Sequence, residues 1–317
     1  MDWRPSASLD TLRQRADLLA RIRRFFGTRD VLEVDTPLLC GSAVTDPALQ
    51  PLLVERGSSV TSPRYLQTSP EYAMKRLLAA GSGPVFQIAR AFRDGEAGAR
   101  HNPEFTLLEW YRPGFDQHQL MAEVAELVVD CLGERPLQTV RYRDLFHQQL
   151  GIDPCRAPLV ELEAVARDHL DPGGLSGDRD LWLDLLMSHV IEPSLAGRGM
   201  VFVHDYPASQ AALARIVEVD GVALGQRFEL YVDGVELANG YCELTDADEQ
   251  RARFEADNAR RREHGLPEQP IDEHLLAAMA HGLPDCSGVA LGIDRLLMLL
   301  AGVDDIRRVL PFDWTRA

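Results

Sequence analysis

Three glutamates, Glu229, Glu236 and Glu243, recur at intervals of seven through the largely apolar strings Arg227-Phe228-Glu229-Leu230-Tyr231 and Gly234-Val235-Glu236-Leu237-Ala238-Asn239-Gly240-Tyr241-Cys242-Glu243-Leu244. Carboxylates inside an apolar strand pair are costly unless a cation compensates them; solvated strand carboxylates are the plain alternative. A second group is cationic: Arg93, Arg100 and His101 lie in Phe92-Arg93-Asp94-Gly95-Glu96 and Arg100-His101-Asn102-Pro103-Glu104-Phe105-Thr106. A third, Gly288-Val289-Ala290-Leu291-Gly292-Ile293-Asp294-Arg295, has glycines that let backbone pass close to a neighbour and an arginine at a helix start. Such a glycine string is weak when it stands alone.

These groups need elements to bring them together. Leu9 to Phe26 has apolar positions spaced by three or four, the pattern of an amphipathic helix, and Val31 to Val34 reads as a short strand ended by Thr36-Pro37. Tyr72 to Ala80 reads as a helix, Val85 to Phe92 as a buried strand, and Phe105 to Tyr111 as its hairpin partner across a polar loop. Residues 116–198 read as a helical flank, with helical spacing over Gln117–Leu132, Leu159–Leu170 and Leu181–Leu195. Strands follow at Met200–His204, Phe228–Val232 and Val235–Tyr241, the last two joined by Asp233-Gly234, a strong hairpin signal. Asp246–His264 reads as a charged helix and Leu296–Leu300 as an apolar one. With no repeat, low-complexity tract or linker, residues 1–317 are expected to form a single α+β domain, an antiparallel sheet of six or seven strands flanked by helices.

The chain has 317 residues and 45% hydrophobic content, enough for a substantial core, and no apolar run approaches the roughly 20 residues that cross a bilayer. Its start lacks the charged and apolar stretches of a secretory signal, so the expected location is the cytoplasm. Five scattered cysteines suggest neither disulfides nor a CxxC metal site. The net charge of −16 argues against a broad nucleic-acid footprint, leaving room only for a local basic mouth.

Three segments together resemble the signature motifs of class II aminoacyl-tRNA synthetases, in wording closest to the lysyl branch: Leu32-Glu33-Val34-Asp35-Thr36-Pro37 after its helix, Phe92 to Tyr111, and Gly288 to Arg295. The resemblance covers nearly the whole chain and implies ATP-dependent activation of an amino acid as its adenylate. It implies a homodimer formed through the first segment. Arg93 would touch both the α-phosphate and the amino-acid carboxylate, where a planar cationic fork stabilises a crowded, charged phosphorus centre. Arg100 and His101 would lie near the outer phosphates, Asn102 would bind ATP, Phe105 would stack on adenine, and Arg295 would bind the γ-phosphate or cover the base. Glu236-Leu237, Gly95, Glu96 and Gly292 belong to the same nucleotide set. The family's usual glutamate two places after the arginine is Gly95 here, so either Glu96 reaches the base or Gly95 backbone replaces that contact. In lysyl synthetases the glutamates matching Glu229 and Glu236 hold magnesium against ATP, as hard oxygen ligands do.

Specificity rests on Ser69-Pro70-Glu71-Tyr72, Tyr111 and Glu243. A lysine-type ammonium taken out of water needs carboxylates or hydroxyls for its three donors, and Glu71, Tyr111 and Glu243 resemble that set. By the resemblance Glu109 would receive the amino group nearer the reacting carboxylate and Asn239 would help hold the carboxylate itself. Lysyl synthetases carry an N-terminal OB-fold that reads the anticodon, whereas here the first motif begins near residue 9, so no anticodon recognition of tRNA is expected. With Asn102 to Pro113 and Pro284 to Gly292, this resembles the elongation factor P lysine ligases, which join (R)-β-lysine to a lysine of that factor. Ala290, where lysyl synthetases show glycine, would narrow the pocket floor against α-lysine. The alternatives are a short synthetase charging a tRNA or another acceptor, and a non-catalytic amino-acid-binding paralogue.

Overall fold

The structure is a computed structural model that describes residues 3–54 and 63–317. The chain forms two compact units, one from Met1–Gly114 together with Thr245–Ala317, the other from Phe115–Leu244.

In the first unit, helix α1 (Leu9–Gly27) is capped by the Ser8 side chain, which accepts from the Thr11 amide, and buries Arg15, Leu18, Ile22, Phe25 and Phe26. Of the spaced apolar positions Leu12, Ala16, Leu19, Ile22 and Phe26 only the last two are buried, and Ala16 is exposed, so the buried stripe is rotated from the one the spacing predicts. Strand β1 (Leu32–Glu33) follows, then β2 (Leu39–Cys40), β3 (Leu53–Val54) and β4 (Arg64–Leu66), which make a small sheet in the order β2-β4-β3. Helix α2 (Glu71–Ala79) leads into the long hairpin of β5 (Val85–Phe92) and β6 (Glu104–Pro113), and β1 lies parallel to β5.

In the second unit, helix α3 (Gln117–Leu132) carries a capping box between Asp116 and Gln119. Strand β7 (Leu137–Arg141), helices α4 (Tyr142–Leu150), α5 (Leu159–His169) and α6 (Arg179–Leu186), a π turn over Met187–Ile191 and short helix α7 (Glu192–Ser194) come next. Then come β8 (Met200–Pro207), β9 (Ile216–Val219), β10 (Val222–Val232) and β11 (Val235–Cys242), in the order β11-β10-β8-β7 with β9 on β10. Its core gathers Tyr142, Phe146, Trp182, Leu186, Val201, Val203 and Tyr231.

The first unit resumes with α8 (Ala247–Glu263), α9 (Glu273–Gly282), β12 (Cys286–Gly292) and α10 (Ile293–Ala301). Strand β12 pairs antiparallel with β6 along its whole length, from Cys286↔Pro113 to Gly292↔Leu107. The α+β class matches the expectation, but the sheet count does not. Four strands (β1, β5, β6, β12) serve the first unit's main sheet and five the second unit's, and β1–β5 and β7–β8 are parallel pairs. The short or glycine-bearing strands lack the alternation that makes a strand readable.

The register sorts large side chains from small. On one face of β5, β6 and β12 lie Phe86, Trp110 and Val289, with the Phe26 ring stacked on Phe86 at 4.5 Å and edge-on to Trp110 at 5.3 Å. Each such aromatic stabilises by about 1.5–3 kcal/mol through burial. The opposite face carries Ala89, Ala91, Ala290 and Gly292 around Phe105, Glu109 and Tyr111. Side chains alternate along a strand, so the residues suited to chemistry share this face with small neighbours that leave space above it.

Candidate active site

In the first unit one group of candidate residues gathers where α2 starts. Ser69 Oγ accepts from the Glu71 amide at 3.0 Å and donates to Glu109 Oε2 at 2.8 Å, while the Tyr111 hydroxyl donates to Glu109 Oε1 at 2.6 Å. Glu109 and Tyr111 are each only 2% exposed. Pro70 is the N-cap residue of α2, in line with Ser69 and Glu71. The structure therefore brings Ser69, Glu71, Glu109 and Tyr111 together. It adds Lys75, 1% exposed, whose Nζ donates to Glu71 Oε1 at 2.6 Å. A buried lysine needs such a partner. The sequence signal was there in the helical i,i+4 spacing. One oxygen of Glu71 is thus already engaged by a cation of the protein itself. Cross-strand from Glu109 stand Gln87 on β5 and Ala290 on β12, so the Ala290 methyl lies in the same row of the sheet as that carboxylate.

A second group of candidate residues is carried by the loop between β5 and β6. Arg93 continues the open face of β5, with its guanidinium carbon 5.0 Å from the Phe105 ring centroid, its Nε buried with no hydrogen-bond partner among the described residues, and Glu96 at 3.7 Å. Gly95 has φ +78°, a conformation that glycine adopts without strain, so glutamate would be disfavoured there on backbone grounds. Glu96, not position 95, holds the carboxylate near Arg93. Arg295, at the start of α10, donates to His101 Nε2 at 2.7 Å and reaches toward the Arg100 carbonyl at 3.5 Å. Asn102 is committed within the protein: its Nδ2 donates to the Glu104 carbonyl at 2.7 Å and its Oδ1 accepts from the Trp314 amide at 3.0 Å. A Cβ on Gly292 would touch only Arg295 side-chain atoms, at 3.7 Å, an ordinary contact.

In the second unit β10 and β11 are joined by Asp233 and Gly234, with φ of +50° and +78°, the two left-handed residues of a tight hairpin. Leu230 pairs with Ala238 and Tyr231 with Glu236, so Leu237 is an extra residue, a bulge, and its side chain is buried. The bulge turns Glu236 onto the face shared by Arg227, Glu229, Tyr231 and Asn239. Glu229, 7% exposed, accepts from Arg227 Nη2 at 2.5 Å, from the Tyr206 hydroxyl at 2.6 Å and from the Tyr231 hydroxyl at 2.5 Å. Burial first, and then the Glu229 charge, push both tyrosines well above their ordinary pKa, so they remain donors. Arg227 also donates to Asn239 Oδ1 at 3.3 Å and lies over the Tyr206 ring. Arg227 had no role in the sequence reading; its place two residues before Glu229 on one strand face was the available signal. Glu243, 1% exposed, follows β11 in an isolated bridge with Ala214.

A family model for class II tRNA synthetases (D, K and N) matches residues 1–316. The chain belongs to that class II family. This synthetase-family chain is 51% identical over 320 residues to the elongation factor P–(R)-β-lysine ligase of Pseudoalteromonas translucida, covering 99% of this chain and 98% of the relative. Relatives of the same name in Sodalis glossinidius and Edwardsiella ictaluri are each 50% identical at the same coverage.

Among the described residues there is no group of three or more His, Cys, Asp or Glu side chains placed to hold a metal, and no helix is long and apolar enough to cross a membrane. The donor chemistry of Glu229 and Glu236 nevertheless fits magnesium: hard carboxylate oxygens on one face, the first braced by outer hydrogen bonds as ligating carboxylates commonly are.

Proposed function

We propose that this chain activates (R)-β-lysine with ATP and transfers it to a lysine ε-amine of elongation factor P. The observation that carries the reading is a buried carboxylate, Glu109, held by two hydroxyls on the same sheet face as Arg93, whose buried Nε has no hydrogen-bond partner among the described residues. One end of that face suits an ammonium and the other an anion. The relatives' shared name supplies the particular substrate and acceptor.

In the first step a substrate carboxylate oxygen attacks the α-phosphorus, the bond to the bridging oxygen breaks, and diphosphate leaves. Arg93 bridges the carboxylate and the α-phosphate, bringing the reactants into line and offsetting charge that builds at phosphorus. Arg295, Arg100 and His101 hold the outer phosphates, and Phe105 supports the base, with Gly95, Glu96, Asn102 and Gly292 beside them. Ser69, Pro70, Glu71, Glu109, Tyr111 and Glu243 receive the two amino groups, and Asn239 the carboxylate. Magnesium, held by Glu229 and Glu236 together with ATP phosphates, would neutralise charge on the leaving diphosphate. In the second step the deprotonated acceptor amine attacks the acyl carbon, an amide forms and AMP departs.

The whole chain serves as a single catalytic domain, and the enzyme is a cytoplasmic homodimer. The test is ATP–diphosphate exchange with (R)-β-lysine and with α-lysine, then mass analysis of elongation factor P incubated with each. Exchange favouring β-lysine and a gain of one lysyl mass on the factor are expected. Exchange without transfer would remove the factor as acceptor, and no exchange would remove the activation chemistry. Ala290→Gly is expected to raise α-lysine exchange relative to β-lysine; an unchanged ratio would clear that methyl of any part in selection.

A further inference from the structure

Three buried polar residues outside the substrate set form a closed ring, one from each signature segment. Arg15 on α1 donates from Nη1 to Asp294 Oδ1 at 2.6 Å and from Nη2 to Thr106 Oγ1 at 2.6 Å, and the Thr106 amide donates to Asp294 Oδ2 at 2.7 Å. Arg15, Thr106 and Asp294 are 8%, 5% and 2% exposed. The ring stands where the β6–β12 ladder stops. Its last pair is Leu107↔Gly292, because the chain then turns into α10. The next amide along β6, that of Thr106, takes the Asp294 carboxylate as its acceptor. A buried carboxylate is costly without a cation, and Arg15, whose planar fork spans two acceptors at once, supplies it.

The neighbours of the ring are the groups that face the nucleotide. Arg295 follows Asp294, and its guanidinium contacts His101. Phe105 precedes Thr106 and, by strand alternation, points to the open face, where the Arg93 guanidinium lies against its ring. Given the reading above that Arg295 and Phe105 hold ATP, we propose that Arg15 is a positioning residue for the nucleotide, acting through Asp294 and Thr106 to fix the spacing of Arg295 and Phe105. The amino-acid pocket around Glu109 depends on other contacts, so the effect should be selective for ATP.

Arg15→Lys keeps the charge and removes the fork, because one ammonium on a shorter reach does not replace two parallel guanidinium donors. Thr106→Val keeps the ion pair and removes the hydroxyl, which guards against Arg15→Lys failing to fold. In diphosphate exchange, each is expected to raise the KM for ATP about ten-fold, with the KM for the amino acid within two-fold of the parent. The double variant should be less than multiplicative, since both changes open the same ring. An unchanged KM for ATP in Thr106→Val, or equal rises for both substrates that follow a fall in Tm, would overturn the proposal and leave the ring a packing device. Arg295→Ala separates the two levels. Normal exchange in that variant would overturn the nucleotide role of Arg295 itself, whereas lost exchange with unaltered Arg15→Lys and Thr106→Val kinetics would overturn only the positioning role.

Discussion

The two hairpins that carry most of the candidate residues, one in each unit, are closed by opposite means. Strands β10 and β11 turn in two residues, and their polar side chains sit in the strands, buried and satisfied: Glu229 takes Arg227 and two tyrosines. Strands β5 and β6 are joined through Arg93 to Pro103, and the groups suited to phosphates are carried in that loop, on or near the surface. A tight turn lets strand residues set one another's geometry through cross-strand register. A long loop has to be fixed from outside, here by Arg295 on His101 and by Trp314 on Asn102. The first arrangement concentrates stability, the second concentrates reactivity that tolerates change in the fold's energy.

Substitutions should therefore separate the two. Arg227→Met leaves the buried Glu229 carboxylate with its two tyrosine donors but no cation, and should destabilise by about 3–5 kcal/mol, measured by denaturant melting. A loss under about 1 kcal/mol would mean that Glu229 finds water or another donor. Arg93→Ala should lower kcat for exchange by about 10²–10³-fold while leaving the denaturation midpoint in place. A lower midpoint would make that loop part of the stabilising structure after all.

Acid should loosen the support of the loop from outside. Burial alone would raise the Asp313 carboxyl, but donors from the Thr315 and Ser6 hydroxyls and the Thr315 amide outweigh it and hold the pKa down at about 2. With the folded value below the unfolded one, this stabilisation is complete above about pH 4 and is lost as pH falls toward 2, on the order of 2 kcal/mol. Asp313→Asn should flatten that part of the stability–pH curve; an unchanged curve would place the acid sensitivity elsewhere.

The smallest expected difference is between two glycines with the same φ of +78°. Gly234→Ala would bring a Cβ to 3.2 Å from the Ala196 amide nitrogen and 3.3 Å from the Glu192 carbonyl, adding crowding to backbone strain. At Gly95 nothing lies within 4 Å, so Gly95→Ala carries the strain alone. About 1–2 kcal/mol is expected at Gly234 and about 1 kcal/mol at Gly95. Equal losses in thermal melting would show that crowding near Ala196 relaxes freely.

The contrast also marks how far the sequence could be read. Asp233-Gly234 announces its hairpin because only two left-handed residues make that turn, and Val85–Phe92 is legible as a buried apolar run. The Leu237 bulge is not, because a bulge is defined only against the partner strand. Strand β12 was missed as well: Cys286-Ser287-Gly288 has little intrinsic strand preference, and pairing along β6 is what extends it. Arg93, Glu109 and Arg295 are recognisable by motif. Arg15, Lys75 and Arg227 pass for solvated or helical-face charges until the fold puts carboxylates beside them.

The first unit is drawn from both ends of the sequence, with Thr106 and Asp294 separated by 188 positions. At a ribosomal pace of about 5–20 residues per second, β6 emerges on the order of ten seconds before β12 exists. Through that interval one edge of β6 presents unpaired backbone groups, a template for the wrong partner. The second unit, continuous in sequence, is free to fold first. The nascent chain thus passes through a stage in which its activation motifs are made but unassembled, and ribosome-associated chaperones should engage it there.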